Sequence, residues 1–577
     1  MTQTTRPTLG NPRKATSLQS RSLALLLAGV HLLVFAQLVL GQGSSSTGIP
    51  AQVAKVNEEI RKGWKDAAIK PAPPATEGEW CRRVYLDVLG RIPSVEELDA
   101  FVSSKDKDKR LKLVNSLLYD EQYTEDFVRN WTTIWTNILI GRSGGTGDDR
   151  LTSRAGMQKY LRDAFANNKP YDQMVVDLVS ARGVSVPGEE GFNGAVNFLA
   201  NKLDEDGAQA TAQTSRIFLG LQVQCTQCHN HPFNDWKQQK YWEFNAFFRQ
   251  ARVLRRFDQG GNRPTSIELV NQDFAGEGAT PTNAEIYYEQ RNGILKSAYP
   301  VFVDDTAIKT SGYVADVDRR AELAKLMLNS EFLPKAAVNR LWGHFLGYGF
   351  TKPVDDLGPH NQPSHPELLE YLGQEFAKNS YDYRKLISWI VLSEPYSLSS
   401  AGAPSGTSSA GKVVDDPTVG ETPKFSRFYL RQMRAEELYE SLVVATQAQK
   451  TRGSYEEQEA EKREWLSQFV LAFGNDEGEE ATTFNGTIPQ ALMLFNGDLI
   501  KKAISDEPGG FLATLAASRL KPEQKVERLF LAALARKPTK DELRIAGQLQ
   551  AARGNVLHGL QDLWWALLNS NEFILNH

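Results

Sequence analysis

Cys225, Cys228 and His229 stand in the order Cys-x-x-Cys-His, inside the stretch from Phe218 to Phe233. Two thiols at this spacing on a helical turn reach two vinyl groups along one edge of a porphyrin, and the next residue projects an imidazole onto the iron. This is the attachment signature of c-type haem. Cys225 and Cys228 would form the thioethers, and His229 would be the proximal ligand of the metal. Three other readings use the same residues. Cys225 and Cys228 could close a redox or structural disulfide, although the βαβ setting usual for redox pairs is absent. Cys225, Cys228, His229 and His231 could bind zinc; they lie so close together that a distant His344, His360 or His365 would have to complete a tetrahedral set. The segment could also be a plain structural turn. Candidates for a sixth iron ligand are Met157, Met174, Met327, Met433, Met493 and the distant histidines, and none is favoured over a five-coordinate or solvent-ligated iron.

A second polar cluster runs from Pro353 to Glu367 and holds Asp355, Asp356, His360 and His365. These residue types bind metals or move protons. They suit a non-haem envelope enzyme or binding protein with a metal or acid–base site. They equally suit a Pro-braced loop that ends in a helix cap, with Ser364 or His365 near the cap and Glu367 in the first turn. The third cysteine, Cys81, sits on the apolar side of a helical pattern and reads as a small core residue.

The elements that carry these groups are helical. Ile217, Leu221, Cys225 and Cys228 recur at helical spacing, so the motif is expected to close a helix. Asp235 should cap the next helix, with Gln238 at the capping-box position and Tyr241, Phe244, Phe247 and Phe248 supplying bulk. Residues 51–70 form a short amphipathic pattern that Pro71, Pro73 and Pro74 break. Helical periodicity continues from Glu79 to about Phe248, with Ser94 and Glu97 at capping-box spacing and Gly-rich loops at 142–149 and 183–194. Between about 250 and 318 the pattern turns β-like at Ser266–Val270 and Glu285–Tyr288, and Asn292-Gly293 signals a hairpin. Helical spacing resumes at Leu323, Leu326, Met327, Val338, Leu341, Trp342, Phe345 and Leu346, and Gly347 is placed to end that helix. The resulting expectation is a mainly α fold: helical domains over 79–250 and 319–577, a small β-containing insertion or linker at 251–318, an N-terminal helix and Pro-rich linker at 42–78, and a mobile loop at 401–420. Gly90–Leu98 echoes Ala535–Leu543, and Leu328–Phe332 echoes Leu568–Phe573. No fixed period joins them, so both pairs read as helix starts that share one capping chemistry.

The first 41 residues address the chain. Arg6, Arg13, Lys14 and Arg21 precede an apolar run from Leu23 to Leu40, and small polar residues follow from Gly41 to Gly48. That order is a secretory signal, with Val39 and Gly41 small enough to precede a cleavage point. The apolar run also approaches the roughly 20 residues of a membrane anchor. Either way the rest of the chain is expected outside the cytoplasm, in the periplasm or cell envelope, touching membrane only through this segment if it is uncleaved. Haem c is assembled outside the cytoplasm, so the address and the motif agree. The formal net charge of −4 gives no reason to expect nucleic acid, which would favour a basic face. The expected partner is a redox protein.

Several motifs together resemble a known family. Cys81–Pro93 and Cys225–Phe248 look like the planctomycete cytochrome-associated domain. Asn339–Phe345, Pro353–Glu367, Arg434–Leu438 and Ala566–Phe573 look like its usual C-terminal companion. The resemblance covers roughly residues 50–577 and implies an exported protein built from two domains of unknown function. The cytochrome label rests on Cys-x-x-Cys-His itself and adds no independent support for haem. Cys81 stands where a bulkier apolar residue is expected, and no separate cytochrome module is expected before the first domain.

Overall fold

A computed structural model of the chain describes residues 48–142, 144, 151–257, 261, 263–276, 280–400, 415–447, 454, 457–465, 498–505 and 510–577. The segment read as an export signal, Met493, and residues 401–414 of the expected loop lie outside the described residues. Among the described residues no helix is long and apolar enough to cross a membrane.

The fold is mainly α, with strands confined to small antiparallel sheets. Helix α1 (Ala51–Asp66) buries Val53, Val56, Ile60 and Trp64, one apolar stripe at helical spacing. Helix α2 (Glu77–Leu89) starts at a capping box between Thr76 and Glu79 and is buried without a break from Trp80 to Leu89. Cys81 is among those residues, in the core as its apolar setting implies. Gly90, at φ +72°, ends α2 in the left-handed conformation that glycine adopts without a Cβ penalty. Helix α3 (Val95–Ser103) opens with the expected box: the Ser94 hydroxyl accepts the Glu97 N–H, and the Glu97 carboxylate accepts the Ser94 N–H. Helix α4 (Lys109–Tyr119) and the long α5 (Glu121–Ile140) follow, then α6 (Arg154–Ala166) and α7 (Tyr171–Ser180).

Strand β1 (Gly183–Val184) pairs with β3 (Pro264–Asn271), which also pairs with β2 (Ala251–Phe257). Strands β4 (Ile286–Glu289) and β5 (Leu295–Ala298) form the hairpin that Asn292-Gly293 signals, with Gly293 at φ +79° in its turn. C-terminal to this region come α10 (Arg319–Leu328), α11 (Phe332–Leu346), α12 (Pro366–Lys378) and α13 (Tyr383–Val391), while α8 (Ala208–Thr214) and α9 (Gln238–Asn245) precede it. Gly347 ends α11, as its position predicts. Further on lie β6 (Arg431–Gln432), α14 (Ala435–Ala445), α15 (Asp498–Ala503), α16 (Phe511–Ala517), α17 (Pro522–Leu534), α18 (Lys540–Arg553), α19 (Val556–Leu568), α20 (Asn571–Ile574) and β7 (Leu575–Asn576).

One hydrophobic core runs from Val53 to Ala535, and a second gathers Leu438, Leu529, Trp564 and Phe573 around α14, α17 and α19. Trp131 of α5 sits where the elements converge, ringed by Phe165, His344, Phe345 and Tyr383.

Candidate functional site

Helix α8 (Ala208–Thr214) continues as a π turn over Ser215–Leu219 and then stops at Gly220, at φ +64°. The Cys-x-x-Cys-His segment therefore does not close the helix. It follows as a separate 3₁₀ turn, Gln224–Gln227, because the left-handed Gly220 redirects the chain before the motif begins. The turn is oriented by Thr226, which is fully buried and donates its hydroxyl to the Val223 carbonyl at 2.6 Å. With Thr226 inward, Cys225 and Cys228 point outward, and both are exposed and unbridged. From beneath, the Gln238 amide and the Trp242 indole both donate to the Gln227 carbonyl at 3.1 Å. Asp235 does not cap the next helix, α9 (Gln238–Asn245), which starts after Lys237 with no side-chain cap. Gln238 instead gives its backbone N–H to the Asn230 side chain, and so ties α9 to the motif loop.

The two clusters separated in sequence meet here. The Leu357 N–H donates to the Gly220 carbonyl at 2.6 Å, and a Cβ on Gly220 would come within 3.0 Å of the Leu357 side chain. Gln222 donates to Asp355 at 2.8 Å, and Arg216 lies 3.4 Å from the other oxygen of that carboxylate. Further along, His360 Nε2 is 3.0 Å from Asp356, its ring is 4.9 Å from that of His231, and its Nδ1 is 3.1 Å from the Asn234 amide. Exposed Phe233 stacks toward the same imidazole at 6.4 Å. Burial, and secondarily the Asp356 charge, push the Cys225 thiol above its usual range. Burial and the neighbouring His360 lower the His231 imidazole.

Hydrogen-bond partners fix which ring nitrogens are available. His229 Nδ1 lies 2.6 Å from the Asn230 carbonyl, which can only accept, so this nitrogen is the donor and the neutral ring places its lone pair on Nε2. His231 Nδ1 accepts from the Phe233 N–H at 3.2 Å. Asn234 Oδ1 accepts from the Trp236 N–H at 2.9 Å, which turns the Asn234 NH₂ toward His360. His360 Nδ1 is therefore an acceptor, and its Nε2–H donates to Asp356. Of these three imidazoles, His229 alone presents an unengaged ring lone pair.

The other predicted residues go elsewhere. His365 does stand at the start of α12, but its ring is buried against Phe350, Phe425 and Gly63, and burial lowers it to about 4. His344 is half-buried beside Trp131 and donates to the Asp87 carbonyl, and removal of its ring from water lowers it to about 3. Met157, Met174, Met327 and Met433 are core residues. Among the described residues no group of three or more His, Cys, Asp and Glu side chains is arranged to hold a metal ion. Asn234, Gln222 and Arg216 join the site without any sequence signal. Their contribution is a contact across more than a hundred residues, which no local spacing encodes.

Fold and site thus define a mainly helical protein whose candidate site is built from two distant loops. Two domain-family models match the chain in N-to-C order. Residues 55–253 match PSCyt2, a protein of unknown function (DUF1549), and residues 319–550 match PSD1, a protein of unknown function (DUF1553). Cys225–His231 lies in the first match and Asp355–His365 in the second. No curated protein and no solved structure matches the chain.

Proposed function

We propose that this chain is an exported redox protein of the cell envelope that binds a c-type haem at Cys225, Cys228 and His229. The observation that carries the reading is the state of His229. Its Nδ1–H is held by the Asn230 carbonyl while Nε2 remains a free lone pair, beside two exposed, unbridged thiols. A ligating histidine that donates its other N–H to a carbonyl is oriented and made more basic. Cys225 and Cys228 would each add S–H across one vinyl group, forming a C–S bond and placing the hydrogen on the neighbouring carbon, so both thiols must arrive reduced. A haem so held supplies one-electron transfer. The residues here orient the ring edge and the iron.

The test is chemical. In protein from the native host, or from a host with haem c maturation, haem should stay with the polypeptide through acid–acetone extraction. A peptide spanning Phe218–Lys237 should carry the mass of one haem. Cys225→Ala with Cys228→Ala should abolish it. Unmodified thiols or a Cys225–Cys228 disulfide in the native protein would overturn the reading. Export is tested by N-terminal sequencing, which should begin close to Gln42; an intact Met1 on cytoplasmic protein would defeat it.

A second reading, an acid–base or metal site on Asp356 and His360, has their 3.0 Å pair in its favour. It requires His360 Nδ1 to be released from Asn234, since both ring nitrogens are engaged.

A further inference from the structure

We infer that Asp356, His360 and Asn234 form a latch through which the C-terminal family domain positions the Cys225–His231 segment. The part of this inference that concerns a bound group rests on the haem reading above; the latch itself does not. The 355–361 loop meets the 216–236 stretch at two places. At the base, Leu357 donates to Gly220, while Gln222 and Arg216 hold Asp355. At the tip, the Asn234 amide donates to His360, whose other nitrogen donates to Asp356. The motif lies between the two attachments.

Each member of the tip is itself fixed. Asp356 Oδ1 accepts the Gly358 N–H at 3.0 Å, which leaves Oδ2 for His360. Asn234 is oriented by the Trp236 N–H, and the His231 N–H donates to the Trp236 carbonyl at 2.8 Å. Holding Asn234 therefore holds the turn from His231 to Trp236, and with it the chain that leaves His229. The imidazole faces contribute as well: His231 packs on one part of the His360 ring and Phe233 on another. His360 is a positioning residue in this arrangement. Both of its ring nitrogens are engaged, by Asn234 and by Asp356.

The base attachments survive loss of His360, so removing it should loosen the tip without unfolding the protein. Two variants separate the bonds. His360→Ala loses both, whereas His360→Asn keeps an acceptor oxygen near the Nδ1 position and should restore the bond from Asn234. Amide hydrogen exchange of the full chain is the primary measurement, because it reads the loop whether or not any group is attached. His360→Ala should speed exchange within residues 229–237 at least tenfold and leave residues 51–66 unchanged, and His360→Asn should recover most of the difference. Unchanged exchange in His360→Ala overturns the latch. If that variant fails to fold, Asp356→Asn, which removes the acceptor for Nε2–H at constant size, takes its place in the same comparison. In protein carrying covalent haem, His360→Ala should also change the reduction equilibrium constant threefold or more at equal haem content. Faster exchange with an unmoved midpoint potential and spectrum overturns the positioning of the bound group. Wild-type protein without covalent haem defeats the redox reading alone, and the exchange comparison still decides the latch.

Discussion

His344 and His365 are imidazoles that burial keeps neutral. Each is lowered from 6.5, His344 to about 3 and His365 to about 4, by removal from water and then by nearby cations: Arg434 and Arg431 for the first, Lys424 for the second. In the folded protein both stay uncharged as the pH falls through 6.5, whereas in the unfolded chain both take up protons there. The unfolded state thus binds more protons below 6.5, and stability falls with pH until the folded values are reached. At pH 5 each histidine accounts for about 2 kcal/mol of that loss. His344→Gln retains a donor for the Asp87 carbonyl but cannot titrate. The difference in unfolding free energy between pH 7.5 and pH 5, measured in urea, should shrink by about 2 kcal/mol in this variant. An unchanged difference would mean that His344 is not held neutral by the fold.

Between residues and the whole fold, one helix–turn–helix device is used twice. Arg91 follows the left-handed Gly90 and forms a two-pronged pair with Glu97, the capping-box acid of α3, and a further pair with Asp126. Arg536 follows the left-handed Ala535 and does the same with Glu542, the capping-box acid of α18, and with Glu572. The echo of Gly90–Leu98 in Ala535–Leu543 is therefore shared capping chemistry, completed by an arginine that braces each box, whereas the Leu328–Phe332 and Leu568–Phe573 pair is not: Ser570 caps α20, but α11 starts after Glu331 with no side-chain cap. The two differ in burial, with 12% of the Arg91 side chain exposed against 33% for Arg536. Removing a buried partner strands charges that water cannot reach, and removing a solvated one does not. Arg91→Ala should cost about 3 kcal/mol and Arg536→Ala about 1 kcal/mol, read from denaturant midpoints. Equal costs would show that burial does not set the strength of the brace.

Across the whole molecule, α2 joins the N-terminal and C-terminal stretches. Arg82 donates to the Ala533 and Phe573 carbonyls, and Arg83 to those of Tyr396, Leu398 and His577. Both guanidiniums are fully buried, and burial lowers each to about 10. Asp87, one turn further on, accepts from Arg431, Tyr396 and Asn576. Charged groups this deep are tolerated only with their partners in place. The main core likewise gathers buried residues from Val53 to Tyr429 together with Ala535, and the second core joins Leu86, Ile92 and Val95 to the C-terminal helices. Residues 51–577 should therefore unfold in one calorimetric transition, and a fragment ending at residue 318 should lack fixed tertiary structure by near-ultraviolet circular dichroism. A folded fragment, or two separated transitions, would contradict this.

What the amino-acid sequence determined by itself is local. Ser94 with Glu97, the Asn292-Gly293 turn, the end of α11 at Gly347 and the place of Cys81 in the core all depend on neighbours within a few residues, where spacing specifies geometry. Cys225, Cys228 and His229 could be picked out as candidates for the same reason, because Cys-x-x-Cys-His is a pattern within one turn, whereas the exposure of both thiols is a property of the fold. Local periodicity misled at Gly220: Ile217 and Leu221 keep helical spacing and are both buried, yet the helix stops between them. Tertiary structure alone brought Asp356 and His360 to Asn234 and His231, packed His365 among the rings of Phe350 and Phe425, and set Asp87 against Arg431 and Asn576. Pairings over such separations arise from how the helices pack as a body, and no spacing along the chain records them.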